Sequence, residues 1–369
     1  MSKPIASLSL DLDNKWSYMK THGDKGWEAF PSYLDVICPR VIDIFAQRDI
    51  KITFFVVGQD AALKKNHNAL RSLAEAGHEI GNHSFHHEPW LHLYTPDQVA
   101  EELQRAQDSI FEATGYRTVG FRGPGFSVTP TVIETLDRMG YAYDCSTFPT
   151  FLGPLARAYY FMSSDLDRED LKQRKMLFGK FSEGFRTLRP HRLRDKQSRI
   201  IEIPVTTMPI FKIPIHLSYV MYLGQISPWL AKSYFRFALT MCRLARVQPS
   251  LLLHPLDFIG ADDDGDLAFF PAMGMDLSRK LKLAGEILDI YRSRYNVVPM
   301  LEHARHADAI LPSAQPAAAI AETTDYASGG TDKQSGDGTV GNHSVSDSGD
   351  LPKPKSSELA ASIANSSKP

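Results

Sequence analysis

Gly77-His78-Glu79-Ile80-Gly81-Asn82-His83-Ser84-Phe85-His86-His87-Glu88-Pro89-Trp90 is the stretch on which the reading of this chain turns. Gly77 stops a short helical segment over Asn68 to Ala76, and His78 to Asn82 reads as the next strand, delivering two histidines at its end. His83 and His87 stand four positions apart, and a 3.6-residue turn puts both imidazoles on one face, within reach of one cation. Two such nitrogens are half of a tetrahedral site for zinc or a related divalent ion. Taken alone, the pair also reads as a polar helix start with solvated or backbone-bonded imidazoles, in a chain with 13 His. What separates the two readings is the rest of the chain, which supplies an acidic third ligand, an acid and a base.

Working outward, Ile5 to Leu12 reads as a buried first strand ending in Asp11-Leu12-Asp13-Asn14-Lys15-Trp16. Two carboxylates two apart at a strand end point the same way, because side chains alternate with period two. They suit one metal ligand and one general base, although Asp and Asn also cap turns after strands. Trp27 to Arg48 has helical spacing, Ile52 to Gly58 is a β-branched and aromatic strand, and Thr95-Pro96-Asp97 opens a helix running to about Thr114. Thr118 to Phe121 is a strand that ends in Arg122-Gly123-Pro124-Gly125-Phe126. A guanidinium so placed suits a fixed bidentate aim at a carboxylate. A helix from Val128 to Met139 precedes a short strand ending at Asp144, and Ile200 to Val205 resumes the strand pattern. Ser250-Leu251-Leu252-Leu253-His254-Pro255-Leu256-Asp257 is the fifth apolar run with a titratable or cationic residue at its C-terminal end. Alternating strand and helix units argue for a parallel sheet or barrel, whose strand C-termini gather catalytic residues. Asp276 to Arg292 is the last strong helix.

The chain has 369 residues, 43% hydrophobic, enough for a large core. With 41 Lys and Arg against 43 Asp and Glu, its net charge of −2 leaves no electrostatic footprint for nucleic acid. Cys38, Cys145 and Cys242 are odd in number and far apart, which fits a reducing compartment better than a disulfide framework. No signal-peptide core and no apolar run long enough to span a bilayer is found, so a cytoplasmic protein is expected. Residues 151–199 hold a basic cluster (Arg186, Arg189, His191, Arg192, Arg194), read as a solvated insertion in preference to an anion clamp. Met208 to Cys242 is apolar but broken by Pro209, Pro214 and Pro228; it reads as barrel packing, with a peripheral membrane lip as the sharper alternative. From about Pro312 the composition changes to small and polar residues, so residues 1–311 are expected to form the domain and 312–369 a disordered tail.

Together and in order, these motifs resemble those of the NodB-like polysaccharide deacetylases, carbohydrate esterase family 4, over about residues 5 to 305. The residues that carry the likeness are Asp11-Leu12-Asp13, His83-Ser84-Phe85-His86-His87, Arg122-Gly123-Pro124, Asp144 and Leu251-Leu252-Leu253-His254. The resemblance implies an α/β fold, a distorted (β/α) barrel of about seven parallel strands. It implies that Asp13, His83 and His87 bind a divalent metal ion, zinc above others. Asp11 would be the general base, Arg122 its orienting partner and His254 the general acid; Asp144 would belong to the fourth motif, with Asp257 a rival for orienting His254. Leu12 between the two Asp residues looks like the Asp-x-Asp branch of the superfamily. Gly125 stands where the family carries an aromatic residue, so the oxyanion donor would be a backbone N–H at Gly125 or Phe126.

The reaction so implied is hydrolysis of an N-acyl group, acetyl or formyl, on an amino sugar in a glycan or glycan precursor. A looser likeness to lipid-linked aminoarabinose deformylases, through Ile203-Pro204-Val205-Thr206, keeps a lipid-carried substrate at the cytoplasmic membrane face in play. Cyclic imide or ureide hydrolysis is the same chemistry on another substrate. A non-catalytic metal- or glycan-binding protein is the reading of a different class, and the presence of both Asp11 and His254 argues against it.

Overall fold

The computed structural model describes residues 3–153, 181–193, 199–268, 270 and 272–311. The expected tail, Arg194 and much of the basic insertion lie outside them.

Strand β1 (Ile5–Leu12) is the centre of the sheet. It pairs with β2 (Thr53–Val56) on one side and β8 (Ser250–Leu253) on the other, and its first residues also pair with β9 (Asn296–Val298). From β2 the sheet runs through β3 (Glu79–Asn82), β4 (Gly120–Phe121), β5 (Tyr143–Asp144) and β7 (Ile201–Glu202) to β6 (His191–Arg192). Every pairing is parallel except β6 with β7. The ends meet at an irregular seam rather than a regular ladder. Thr206, just past β7, donates its N–H to Ser250 O (3.0 Å), and the Ser250 N–H donates to Thr206 Oγ1 (2.8 Å). This is the distorted α/β barrel the sequence implies.

Alternation sorts the side chains. Leu8, Leu10, Leu12, Phe54, Val56 and Ile80 face outward into the layer of covering helices; burying each contributes about 1.5–3 kcal/mol. That layer includes α2 (Leu34–Ala46), α4 (His67–Glu75), α7 (Leu217–Ile226), α8 (Pro228–Leu244) and α9 (Leu277–Arg294), with α1 (Lys15–His22), α3 (Gly58–Ala61), α5 (Pro96–Thr114) and α6 (Pro130–Arg138) lying before or between them along the chain. A second cluster, Phe55, Tyr143, Cys145, Ile201 and Ile203, packs with Met300, Ala304 and Ala307 of α10 (Met300–Ile310). α10 is tied in by His303 Nδ1 to Ser7 Oγ (2.8 Å) and by the Leu301 N–H donating to Glu79 Oε2 (2.9 Å). Ser7, Ser9 and Asp11, two apart along β1, therefore share the face opposite the leucines.

Two expectations change. The helix expected over Trp27 to Arg48 starts only at Leu34, because Gly26 (φ 86°) and Phe30 (φ 49°) are left-handed and bracket a separate 3-10 turn. β9 and α10 had no clear signal: the first is three residues long and the second is half polar.

Candidate active site

The parallel register puts five strand ends on one level. Leu12 pairs with Val56, Val56 with Asn82, Asn82 with Phe121, and Phe121 with Asp144. Asp13, His83 and Arg122 each lie one residue beyond that level. Their approach is real: His83 Nε2 is 3.5 Å and His87 Nε2 2.9 Å from Asp13 Oδ1. Among the described residues these three form a group whose ligand atoms all lie within 4.8 Å of one another.

His83 and His87 do not share a helix face as the spacing suggested. They sit on a loop after β3, in which Ser84 (φ 61°) and His87 (φ 56°) are left-handed. Such residues cost about 1–3 kcal/mol each and persist only where neighbours impose them. Here Glu102 of α5 imposes them: its Oε1 accepts the N–H groups of Phe85 (2.9 Å) and His86 (2.7 Å), and its Oε2 meets His86 Nδ1 (2.7 Å). Asn82 Oδ1 accepts from Ser84 N (2.8 Å). The loop conformation replaces the helix while still aiming both imidazoles at Asp13.

His83 Nδ1 bonds to Arg122 O (2.6 Å), which fixes the ring and presents Nε2 to the cluster. Asp13 Oδ1 is buried and has no hydrogen-bond donor among the described residues. Burial works against its charge, but His87 and His83 prevail and hold the carboxyl well below the usual range. A carboxylate, two imidazoles on one point and an orphaned oxygen fit a divalent cation of the zinc type.

Beside this cluster, Arg122 is fully buried. Nη1 donates to Asp11 Oδ1 (2.7 Å) and Ser9 Oγ (2.9 Å), Nε donates to Cys145 O (3.1 Å), and the guanidinium lies 4.6 Å from the Phe55 ring centroid. Gly123 follows because nothing larger fits: a Cβ there would stand 2.1 Å from Ser127 O. In the turn Pro124–Phe126 the Phe126 N–H is spent on Gly123 O (3.0 Å), which leaves Gly125 as the better oxyanion donor of the two considered.

His254 follows Leu253, the register partner of Leu10, so it stands beside Asp11 on the neighbouring strand. Its Nδ1 is 3.2 Å from Ser218 Oγ at the start of α7, and its backbone N–H donates to Asp257 Oδ2 (2.8 Å). Asp257 also bonds Ser218, so the carboxylate reaches the ring through the serine; burial raises the Asp257 pKa, and His254 opposes that rise. Buried His216, missed in the sequence, lies 5.8 Å from the His254 ring centroid, and burial then His254 hold it neutral, well below the usual pKa. Its Nδ1 has no hydrogen-bond partner among the described residues.

Asp144 is placed differently. Its Oδ1 accepts from Ser146 Oγ (2.6 Å) and its Oδ2 from Ser146 N (3.1 Å), while the carboxyl also meets Glu202. Burial raises the Asp144 pKa, and burial with the Asp144 charge raises Glu202 well above its ordinary value. Ser146 Oγ accepts from Gly123 N (2.8 Å), so Asp144 braces the Arg122–Pro124 turn. Its described contacts give it no path to His254, whose backbone N–H meets Asp257 instead. The described members of the basic cluster do not converge on one point. Arg186 pairs with Glu183, Arg192 with Asp308, and Arg189 donates to Ala245 O.

Residues 24–143 match the family model of polysaccharide deacetylase. The peptidoglycan-N-acetylmuramic acid deacetylase PdaA of Bacillus subtilis is 33% identical over 104 residues, 28% of this chain and 38% of that protein. The peptidoglycan-N-acetylglucosamine deacetylase PgdA of Listeria monocytogenes is 30% identical over 100 residues, 27% of this chain and 21% of that one. The chain thus spans well under half the length of these curated relatives. Among solved structures, a candidate polysaccharide deacetylase of Mycobacterium smegmatis superposes with a TM-score of 0.56 at 20% identity, covering 84% of this chain and 92% of that one. Puue allantoinase superposes at 0.52 with 17% identity, over 85% and 92%. Identities this low speak for the fold. Over residues 24–143 the chain is thus similar to the polysaccharide deacetylases, and the barrel around that region shares the fold of solved structures that resemble it.

Proposed function

We propose that this chain hydrolyses an N-acyl group, acetyl or formyl, from an amino sugar in a glycan or glycan precursor. The observation that carries the reading is the convergence of Asp13, His83 and His87 beside an arginine-held Asp11 and His254. Asp13, His83 and His87 would hold a divalent ion, zinc in this proposal, which when bound polarises the acyl oxygen and acidifies water.

The chain's own groups supply the proton transfers. Arg122 pins one oxygen of Asp11, so the carboxylate keeps a fixed aim and takes the proton of the attacking water. The Gly125 N–H would donate to the developing oxyanion, a contribution of about 3–4 kcal/mol for a donor well placed in the transition state. His254, oriented by Ser218 and Asp257, protonates the departing amine. That proton is required because an amide anion is a very poor leaving group.

A lipid-carried sugar is the second reading, favoured by the exposed side chains of α7, which reach from the site to the surface. The proposal places the chain in a reducing compartment, consistent with three buried, unpaired cysteines. The test is acetate or formate release from N-acylated amino sugars presented free, in polymer and on a lipid, set against ring opening of a cyclic imide. Release from a sugar that is lost in Asp11→Asn supports the reading. Ring opening alone overturns it in favour of an imide hydrolase, and neither activity in a metal-loaded protein overturns it in favour of a binding protein.

A further inference from the structure

Ser218 and Tyr219 in the first turn of α7 border the site, Ser218 through His254 and Tyr219 through the His216 ring (4.5 Å between centroids). Further along the same helix the outward residues are Tyr222, Gln225 and Ile226, the last 70% exposed. The loop before the helix exposes Ile210 (75%) and Phe211. After Ser227, α8 buries Ala231, Phe235, Ala238, Leu239 and Cys242, which fixes its outer face. That face carries three pairs seven residues apart: Trp229-Leu230, Arg236-Phe237 and Arg243-Leu244, with Trp229 73% and Leu244 75% exposed. Seven residues are two turns, so the pairs form one stripe about 20–25 Å long.

Charge points to the occupant. From Ile203 to Leu256 the chain has no Asp or Glu, yet it contains Lys212, Lys232, Arg236, Arg243 and Arg246, although acids outnumber bases in the whole sequence. Lys232 is paired with Glu286 of α9, and Lys212 donates to Arg186 O. Aromatic rings alone would suit stacking on sugar faces. Ile210, Ile226 and Leu244 offer no ring and no hydrogen bond, so they suit acyl chains better. Aliphatic and aromatic side chains interleaved with arginine are what an anionic bilayer surface selects. No helix among the described residues is long and apolar enough to cross a membrane, so the contact is peripheral.

We infer that the outer faces of α7 and α8, with the Ile210–Phe211 loop, dock on an anionic lipid bilayer. The first turn of α7 then sets the catalytic mouth at the membrane surface, where a substrate on a lipid carrier is presented. The inference stands apart from the proposed reaction, because binding is measured without substrate.

The experiment is sedimentation of the full-length chain with vesicles of phosphatidylcholine alone and of phosphatidylcholine with phosphatidylglycerol. The expected result is binding to the mixed vesicles, weakened by salt. Ile226→Ser with Trp229→Ser should reduce the partition coefficient about ten-fold or more, and Arg236→Gln with Arg243→Gln should remove the preference for anionic lipid. Both variants should keep the wild-type melting temperature, because all four side chains are exposed. Absence of binding to either vesicle overturns the inference, as does equal binding by the Ile226/Trp229 variant. Light scattering that shows a dimer, lost in that same variant, overturns it in favour of a second copy covering this face.

Discussion

Replacing Glu102 with Ala tests whether the histidine loop is imposed from outside or folds on its own. The buried carboxylate makes two hydrogen bonds to backbone N–H groups and one to the His86 ring. Bonds to a charged group are worth about 1.5–3 kcal/mol each, and the variant leaves the Phe85 and His86 donors without their acceptor. Opposed to them is the strain of Ser84 and His87 at positive φ, about 1–3 kcal/mol each. Without Glu102 the loop has reason to relax toward ordinary φ, which swings His87 away from Asp13. The expected result is a loss of global stability of about 2–4 kcal/mol, smaller than the summed bonds because the relieved strain offsets part of it. Zinc affinity should fall about 10–100-fold, as it does when a ligand's outer partner is removed. Competition against a chromophoric chelator measures the affinity, and urea melts of the metal-free protein measure the stability. Unchanged zinc affinity in a folded variant would refute the reasoning, because the loop would then hold its shape without the clamp. Wild-type protein gives a second check. Burial alone would raise the Glu102 pKa, but His86 and the two backbone donors lower it from 4.5. A depressed folded pKa means the stabilisation is complete above about 4.5 and is lost as pH falls through the lower folded value. Glu102→Ala should therefore lose acid sensitivity in that window.

Asp11→Asn should bind zinc as the wild type does and lose about 10²–10⁴-fold in turnover, the usual range for a general base, measured as acyl release. Arg122→Met should destabilise by about 3–5 kcal/mol in a denaturant melt, since it strands the buried Asp11 charge; a change below about 1 kcal/mol would show that Asp11 is not charged beside it. Gly123→Ala should lower both stability and activity, because the clash is with backbone oxygen rather than with a yielding side chain. Asp60 tests pH dependence with the opposite sign. Burial pushes its carboxyl up to about 7, against Asn14 and Trp16, which donate to Oδ1 at 2.7 and 2.9 Å. A raised folded pKa gives stability that is full below 3.8 and is lost as pH rises through about 7. With metal removed by chelation, the stability of Asp60→Asn relative to the wild type should rise by about 1–3 kcal/mol between pH 5 and pH 8. A wild type that holds its stability at the higher pH would show that Asp60 stays neutral there or is better solvated than its burial implies.

The legible part of this protein is what strand periodicity dictates. Ile5 to Leu12 could be read to the residue because β1 is buried on both faces and ends in charges. Once strands are placed, period two assigns Asp11 and Asp13 to one face, and the parallel order assigns His83, Arg122 and His254 to one edge. None of that needs side-chain contacts. Glu102, Ser218 and His216 were not legible for the converse reason. Each acts from a different element at long sequence separation, 16 residues from His86 in the first case and 36 from His254 in the second. A Glu in the middle of α5 looks like one more solvent-facing helix residue, and only its burial at 4% exposure reveals the clamp.

The misread helix at His83–His87 follows from the same division. Four-residue spacing is satisfied by a helical turn, but also by a loop that reverses through two left-handed residues, and sequence spacing alone cannot choose between them. The choice is made by the strand that precedes it. β3 must run through Asn82 to pair with both Val56 and Phe121, so a helix starting at His83 would have to turn at once off a sheet with neighbours on both sides. The loop keeps His83 in line with the strand, where Arg122 O can take its Nδ1, and folds only His87 back. A metal site built this way takes one imidazole from sheet geometry and the other from local strain. The two should therefore respond differently to perturbation: His83 should stay ordered in any variant that keeps the barrel, and His87 should be the one that moves when Glu102 is lost. Imidazole resonances of the metal-free variant distinguish the two rings, and equal broadening of both would count against this division.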